Sequence, residues 1–276
     1  MRPFAGTRRA LALAAWASFV REWREFGRQK LFYVSTLLAL ALLLTTRLLA
    51  ERAFGSEGFE ASGGGSNFIG YVALGWLALQ IAQQGLYSGQ GYLRWASQAG
   101  VLPHIWATPC PRWIPIVGVT GWEIAQWTAM LGVLAVALLF LPGAAPAAFN
   151  PLVIPVFALA LIAFWGLGIA FAGVGLAQRQ PALASIFVVL IFTMAGSTFP
   201  VAMLPWEVRW VSLALPYTYV IDAMRHTLLG TPTIVPLEVE LGVLAASAVG
   251  GVLGGIWLFN RVANRATRRG LIGLYT

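Results

Sequence analysis

Long apolar runs, separated by short polar segments, dominate the pattern of the chain. Six such runs have roughly the 20 residues that a helix needs to cross the hydrocarbon layer of a membrane, at 31–49, 68–88, 113–141, 152–177, 182–204 and 239–259. The pattern therefore predicts an all-α polytopic membrane protein with six transmembrane helices, formed as a single transmembrane domain over residues 1–276.

The segment before the first run has a different, amphipathic pattern. Residues 8–28 place apolar side chains three or four positions apart, while arginine and glutamate occupy the remaining surface; the apolar stripe consists of Leu13, Trp16, Val20, Trp23 and Phe26. This arrangement is typical of a helix that lies in the membrane interface.

The segment between the fifth and sixth runs is apolar but interrupted by proline. Residues 200–236 contain Pro200, Pro205, Pro216, Pro232 and Pro236. Proline breaks a helix interior, so short re-entrant helices, with their broken backbone buried by protein, fit this segment better than one straight span.

Composition and charge support a membrane location and give an orientation. The chain is 59% hydrophobic and only 10% charged, which excludes a soluble enzyme. With six spans, 14 of the 18 basic residues fall on the side that holds both termini, together with two acids. The other side holds four basic and seven acidic residues. Both termini are therefore expected in the cytoplasm, and the 200–236 segment outside.

The sequence offers little cofactor chemistry. The single cysteine, Cys110, excludes an internal disulfide, and His104 and His226 are too far apart to suggest a zinc motif. The only lysine, Lys30, precedes leucine, so no phosphate-binding loop of the Walker type is present. We expect no catalytic residue, metal or cofactor in this chain, and any ATP and Mg to be bound by a partner subunit.

The loop after the second run, LRWASQAGVLPHIWATPCPRW at 93–113, contains a short amphipathic helix. Leu102, Ile105 and Trp106 lie on one face, and Thr108 and Pro109 end the helix. The pattern alone leaves two interpretations open: the apolar face docks into a soluble partner, or it lies on the lipid surface.

Two segments of the sequence resemble type-2 ABC exporter permeases. The family follows its second span with glycine-threonine-leucine-glutamate and a closing threonine-proline; this chain has GVLP at 100–103 and Thr108-Pro109, with Val101 and Pro103 in place of threonine and glutamate. Residues 199–230, FPVAMLPWEVRWVSLALPYTYVIDAMRHTLLG, are similar to the family's external turn. With the six spans and the amphipathic start, the resemblance covers essentially the whole chain.

The resemblance implies a function and an assembly. Residues 94–109 would form the coupling helix that rests on an ATPase subunit, 8–28 the connecting helix beside it, and 200–236 the re-entrant cap of the pathway. Two permease copies, as a homodimer, would work with two ATPase copies in the bacterial inner membrane. The cargo would be hydrophobic or amphipathic: a lipid-linked glycan, a lipid or a drug.

Polar residues within the second span are candidates for a substrate path. Gln80, Gln83, Gln84 and Tyr87 share one helix face, and the fifth span could place opposite them Thr193, Ser197 and Thr198. Glutamines in hydrocarbon normally face water or protein. They either line the path or bond to neighbouring helices as packing contacts, and the resemblance slightly favours the path.

Three charged residues complete the candidates. Glu123, the only acid within a predicted span, is either functional or paired with a nearby base such as Arg112. Asp222 and Arg225, three residues apart, are expected to form a local ion pair.

Two rival classes use other features. An intramembrane serine protease would need a pair such as Ser197 and His226, but AGSTF at 195–199 lacks the Gly-x-Ser-Gly setting. An ion-driven secondary transporter would show inverted repeats, and none is visible in the sequence.

Overall fold

The computed structural model describes residues 8–26, 68–108, 110–139, 150–178, 182–197 and 200–268, with single positions at 34, 38, 41, 42 and 45. The helices within these ranges are α1 (Arg8–Phe26), α2 (Phe68–Gln98), α3 (Leu102–Ala107), α4 (Ile114–Leu139), α5 (Val153–Gln178), α6 (Ala182–Met194), α7 (Trp206–Ala214), α8 (Pro216–Leu229) and α9 (Leu237–Arg268), with a 3₁₀ turn at Val201–Met203. No strand occurs in these ranges, which confirms the predicted all-α class. The first predicted span, 31–49, lies outside the described residues apart from those single positions.

The helix bounds differ from the apolar runs at three places. α2 and α9 continue past their runs, to 31 and 32 residues. α6 ends at Met194 instead of 204, because Gly196 takes a left-handed backbone with φ of 76° and Pro200 follows.

Two of the described helices are long and apolar enough to cross a membrane. They are α5, over Val153–Gly175 with a mean hydropathy of 2.4, and α9, with a mean hydropathy of 1.9. α2 has comparable length, but its glutamines make it more polar. The count of six spans stays a prediction.

Glycine lets α5 and α9 approach each other closely. A Cβ atom placed on Gly255 would lie 2.1 Å from the Gly166 carbonyl oxygen, and one placed on Gly166 would lie 2.3 Å from the Gly251 carbonyl carbon. Small residues allow such backbone contact between membrane helices. The two helices therefore form a tightly packed pair along which the other helices lie.

The buried side chains form two clusters. The larger one joins α2, α5, α6, α8 and α9 and contains Leu77, Phe164 and Tyr217. The smaller one joins the end of α2 to α3, α4, α5 and the end of α9, and contains Leu102 and Phe259. The smaller cluster fixes the position of the loop between α2 and α4.

α1 lies against α4 and keeps part of its apolar stripe exposed. The Phe19 and Trp23 rings contact the Trp122 ring edge to face, with centroids 5.6 Å and 5.1 Å apart. Trp16 and Trp23 are nevertheless each 60% exposed. An apolar face left open beside a packed face suits a helix at the membrane surface.

Candidate functional site

The loop between α2 and α4 contains a separate short helix. α2 ends at Gln98, and Gly100, with φ of 68°, turns the backbone before α3 begins at Leu102. Thr108 closes α3, since its hydroxyl donates to the Ile105 carbonyl at 2.6 Å. Within the segment 94–109, expected to form the coupling helix, only the six residues of α3 form a separate helix, while residues 94–98 belong to α2. Pro109 lies outside the described residues.

The apolar face of α3 is turned into the protein. Leu102 is fully buried in the smaller cluster, and Ile105 and Trp106 are half-buried against it. The expectation that Leu102 presents an apolar surface to a partner is wrong, because it is buried in a cluster with residues of α2, α4, α5 and α9. For the half-buried Ile105 and Trp106 the expectation stays a prediction. The side of α3 that remains exposed is formed by Pro103, His104, Ala107 and Thr108.

Arg112 ties this loop to the end of α9. Its guanidinium lies 4.7 Å from the centre of the Trp106 ring and donates to Asn264 Oδ1 at 3.2 Å and to Thr267 Oγ1 at 3.0 Å. Burial lowers the pKa of Arg112 from its ordinary value, yet a guanidinium stays charged at neutral pH. Arg112 therefore anchors the loop, and the suggested pairing of Arg112 with Glu123 is wrong.

Glu123 borders a narrow cavity between α2, α4 and α5. Gln84, Thr120 and Trp165 also line this space, whose volume of about 10 Å³ leaves room for about one water. Within the described part of the chain, Glu123 Oε2 and Trp165 Nε1 are buried without a hydrogen-bond partner. Glu123 thus has one carboxylate oxygen without a hydrogen-bond partner between three helices, and its functional interpretation stays open.

The glutamine-rich face of α2 is partly accessible. Gln80, Gln83, Gln84 and Tyr87 are all half-buried. Tyr87 Oη donates to Ser185 Oγ of α6 at 3.3 Å, which places this face beside α6.

The hydroxyl residues expected opposite the glutamines do not form one surface. Thr193 is exposed and donates to the Val189 carbonyl of its own helix at 2.8 Å. Ser197 is buried, and its hydroxyl donates to Tyr217 Oη at 3.5 Å. Thr198 lies outside the described residues. A substrate path along α2 would therefore involve Thr193 more readily than Ser197.

Arg225 of α8 is buried and bonded to three backbone carbonyls. Its guanidinium donates to Tyr71 O at 2.9 and 3.2 Å, to Gly196 O at 2.7 Å and to Ser197 O at 2.9 Å. These carbonyls belong to the first turn of α2 and to the chain just after α6. One side chain thus joins α2, α6 and α8.

The predicted ion pair between Asp222 and Arg225 is wrong. Asp222 Oδ2 accepts a hydrogen bond from the Ile234 backbone N–H at 2.6 Å, and the guanidinium is occupied by carbonyls. Asp222 therefore holds the segment after α8 against that helix.

The residues of the rival protease hypothesis are not paired with each other. Ser197 Oγ bonds to Tyr217 Oη, and His226 Nδ1 bonds to the Thr231 carbonyl oxygen at 2.7 Å. Burial raises the pKa of the half-buried Cys110 thiol, which disfavours a reactive thiolate. Among the residues that the structure describes, no group of three His, Cys, Asp or Glu side chains could hold a metal ion.

Sequence reasoning missed two residues beside Arg225. Arg209 of α7 and Thr231, after α8, line a cavity together with Asp222 and Arg225. The sequence did show Arg209 as a charged residue within an apolar, proline-rich segment. Its distance from Thr231 along the chain gave no sign that the two residues would line the same cavity.

These features define a helical membrane protein. The polar side chains described above lie between its helices or at the helix ends. Residues 14–229 match the ABC-2 type transporter family, so the match extends from α1 to the end of α8. The chain belongs to the ABC-2 type transporter family, which confirms the resemblance seen in the sequence and makes the chain a permease component of a transporter. Permeases of this family typically work with an ATPase subunit. No individual curated protein matches the chain.

Proposed function

We propose that this chain is the transmembrane permease subunit of an ATP-driven exporter. It moves a hydrophobic or amphipathic cargo, such as a lipid-linked glycan, a lipid or a drug, across the bacterial inner membrane, and a separate subunit binds ATP and Mg. The observation that carries the proposal is the family match over 14–229, which includes α3. We further propose a homodimer with two ATPase copies and six spans, in which α7 and α8 form the re-entrant cap.

α3 has the properties of a coupling element. It is anchored on one side by Leu102 and open on the other through His104 and Ala107. A short helix held this firmly can transmit a push from a partner to α2 and α4 without bending away from it. The contact with the ATPase subunit therefore involves the exposed side of α3.

A bulky cation on that exposed side should prevent the contact. Ala107→Arg adds a long charged side chain to the open face without touching the buried Leu102. We expect at least a tenfold loss of the ATPase subunit in co-purification from detergent, since imperfect complementarity and uncompensated desolvation weaken interfaces strongly.

Ala214→Arg provides the matched control, because Ala214 is equally exposed but lies at the end of α7, on the opposite side in the proposed topology. This variant should retain the ATPase subunit. If Ala107→Arg retained it too, with coupled ATPase activity, α3 would not be the coupling helix.

The glutamine face of α2 is the proposed cargo path. Gln83→Leu removes hydrogen-bonding capacity from a half-buried position while nearly keeping side-chain volume. If the face lines the path, cargo-stimulated ATPase activity should change several-fold while the unfolding temperature holds. Reduced stability with unchanged transport per folded complex would show instead that Gln83 is a packing contact.

A further inference from the structure

A cavity of about 240 Å³ lies where α7, α8 and the segment joining α8 to α9 meet. Its walls combine aromatic, aliphatic, charged and hydroxyl side chains, and the polar ones are Tyr71, Arg209, Thr218, Asp222, Arg225, Thr231 and Thr233. This space is large enough for a small polar group, whereas the cavity beside Glu123 accommodates about one water.

The charges on the cavity wall favour an anion. Two guanidinium groups, Arg209 and Arg225, face one carboxylate, Asp222. Arg225 donates to neutral carbonyls and forms no ion pair with a described carboxylate, although the Asp222 carboxylate is near enough to interact with it electrostatically. Among the described residues no carboxylate forms an ion pair with Arg209, which is half-buried. Asp222 already accepts one hydrogen bond from Ile234, which leaves it less free to bind a cation.

A buried hydroxyl on the same wall lacks a partner. Thr231 is only 6% exposed, and its Oγ1 has no hydrogen bond within the described residues. Buried polar atoms normally have a partner, and a hydroxyl can donate to an anionic oxygen. Thr231 and Arg209 thus supply two independent donors to one small space.

We propose that this cavity binds a phosphate-type anion, with Arg209 as the main cationic contact and Thr231 as a second donor. The planar guanidinium matches phosphate oxygens in pairs. The inference rests on the proposed function, in which the cargo is amphipathic, and adds that its headgroup carries a phosphate. The same chemistry would also bind free phosphate, so the experiment separates these two sources.

Binding is measured on the full-length permease in a neutral detergent. One arm titrates phosphatidylglycerol and counts bound lipid by native mass spectrometry, with neutral diacylglycerol as the reference ligand. A second arm titrates inorganic phosphate by calorimetry. Arg209→Gln removes the cation, Thr231→Val removes the hydroxyl at similar volume, and Arg261→Gln changes an exposed arginine on α9 as the matched control.

We expect the wild type to bind phosphatidylglycerol in preference to diacylglycerol. Arg209→Gln should weaken this binding ten- to a hundredfold, the range expected for a lost charge-assisted hydrogen bond. Thr231→Val should weaken it several-fold, and Arg261→Gln should leave it unchanged. Binding of the lipid without inorganic phosphate identifies a headgroup site, whereas binding of inorganic phosphate alone identifies a site for the free anion.

The proposal is overturned if the wild type binds neither probe. It is equally overturned if both cavity variants, folded as judged by gel filtration, bind as tightly as the wild type. If Arg209→Gln fails to fold, the binding measured for Thr231→Val alone decides whether the proposal stands. No ATPase subunit takes part in this measurement, so its failure is distinct from the loss of ATPase binding that tests the proposed function.

Discussion

At the scale of single residues, Arg225 connects three separate parts of the chain through its hydrogen bonds. Its guanidinium binds the carbonyls of Tyr71, Gly196 and Ser197. The last two lie after α6 and accept no backbone hydrogen bond from the described residues. A backbone carbonyl left unpaired in the interior costs about 1–3 kcal/mol. The residue therefore acts as a joint between three helices.

Replacing Arg225 should destabilise the protein severely. Arg225→Leu removes the side-chain donor from the carbonyls of Gly196 and Ser197, and we expect a loss of about 3 kcal/mol or more in the free energy of unfolding. Thermal unfolding in detergent measures the effect, with Arg261→Leu as an exposed control. Equal unfolding temperatures for the two variants would contradict the role of Arg225 as a joint.

Residue spacing could not reveal these partners. Asp222 and Arg225 are three apart on a helix, and that spacing alone predicted an ion pair. The true acceptors lie 154 and 29 residues away, at Tyr71 and Gly196. Only the packing of α2 and the end of α6 against α8 brings them within reach, and local sequence carries no record of that packing.

At the scale of helices, the crossing of α5 and α9 can be tested with two adjacent glycines. Gly255 faces the Gly166 carbonyl, while a Cβ atom on Gly254 would meet nothing within 4 Å. Gly255→Ala should therefore destabilise the protein by about 1–3 kcal/mol through overpacking. Gly254→Ala should be neutral or stabilising by about 0.5–1 kcal/mol, because alanine loses less backbone freedom in a helix.

The free energy of unfolding of the two purified variants is compared under identical detergent conditions. The two positions are consecutive in the chain, so composition and membrane depth are matched. Similar stabilities for both variants would mean that α5 and α9 do not touch at Gly255.

α3 shows what an amphipathic helical pattern predicts about a buried face and what it leaves undetermined. The sequence correctly predicted a short helix ended by Thr108 and an apolar face that needs cover. The pattern left a soluble partner and the lipid surface open as cover, and the resemblance implied the partner, whereas Leu102 is buried in the smaller cluster of this chain. An amphipathic pattern identifies which side is buried, but whether the cover comes from the same chain depends on contacts with α9, more than 150 residues away.

At the scale of the whole molecule, the sequence predicts those features of the fold that depend on composition and on the periodicity of apolar residues. The all-α class, the start of α1, the bounds of α4 and α5 and the family all follow from apolar runs and local motifs. The cavity with Arg209 and Thr231 does not, because it arises where α7 and the segment after α8 fold back on α8.

The orientation of the chain is a testable consequence of its charge asymmetry. In a background with Cys110→Ser, which removes the single cysteine, Glu207→Cys and Thr267→Cys each place one thiol at an exposed position. An impermeant thiol reagent applied to intact cells should label position 207, and position 267 only after the membrane is opened, because basic residues stay in the cytoplasm. The reverse labelling would contradict the proposed topology.

α9 is also a lever. At about 1.5 Å per residue, its crossing with α5 at Gly255 lies about 27 Å from the end at Leu237 and about 20 Å from the end at Arg268. Arg112 is hydrogen-bonded to the shorter part of α9, between Gly255 and Arg268, through Asn264 and Thr267. The longer part, between Leu237 and Gly255, begins beside α8. If α9 turns as a rigid rod about the glycine crossing, each 1 Å of displacement at the end bonded to Arg112 would reach the far end as ~1.4 Å, in the opposite direction.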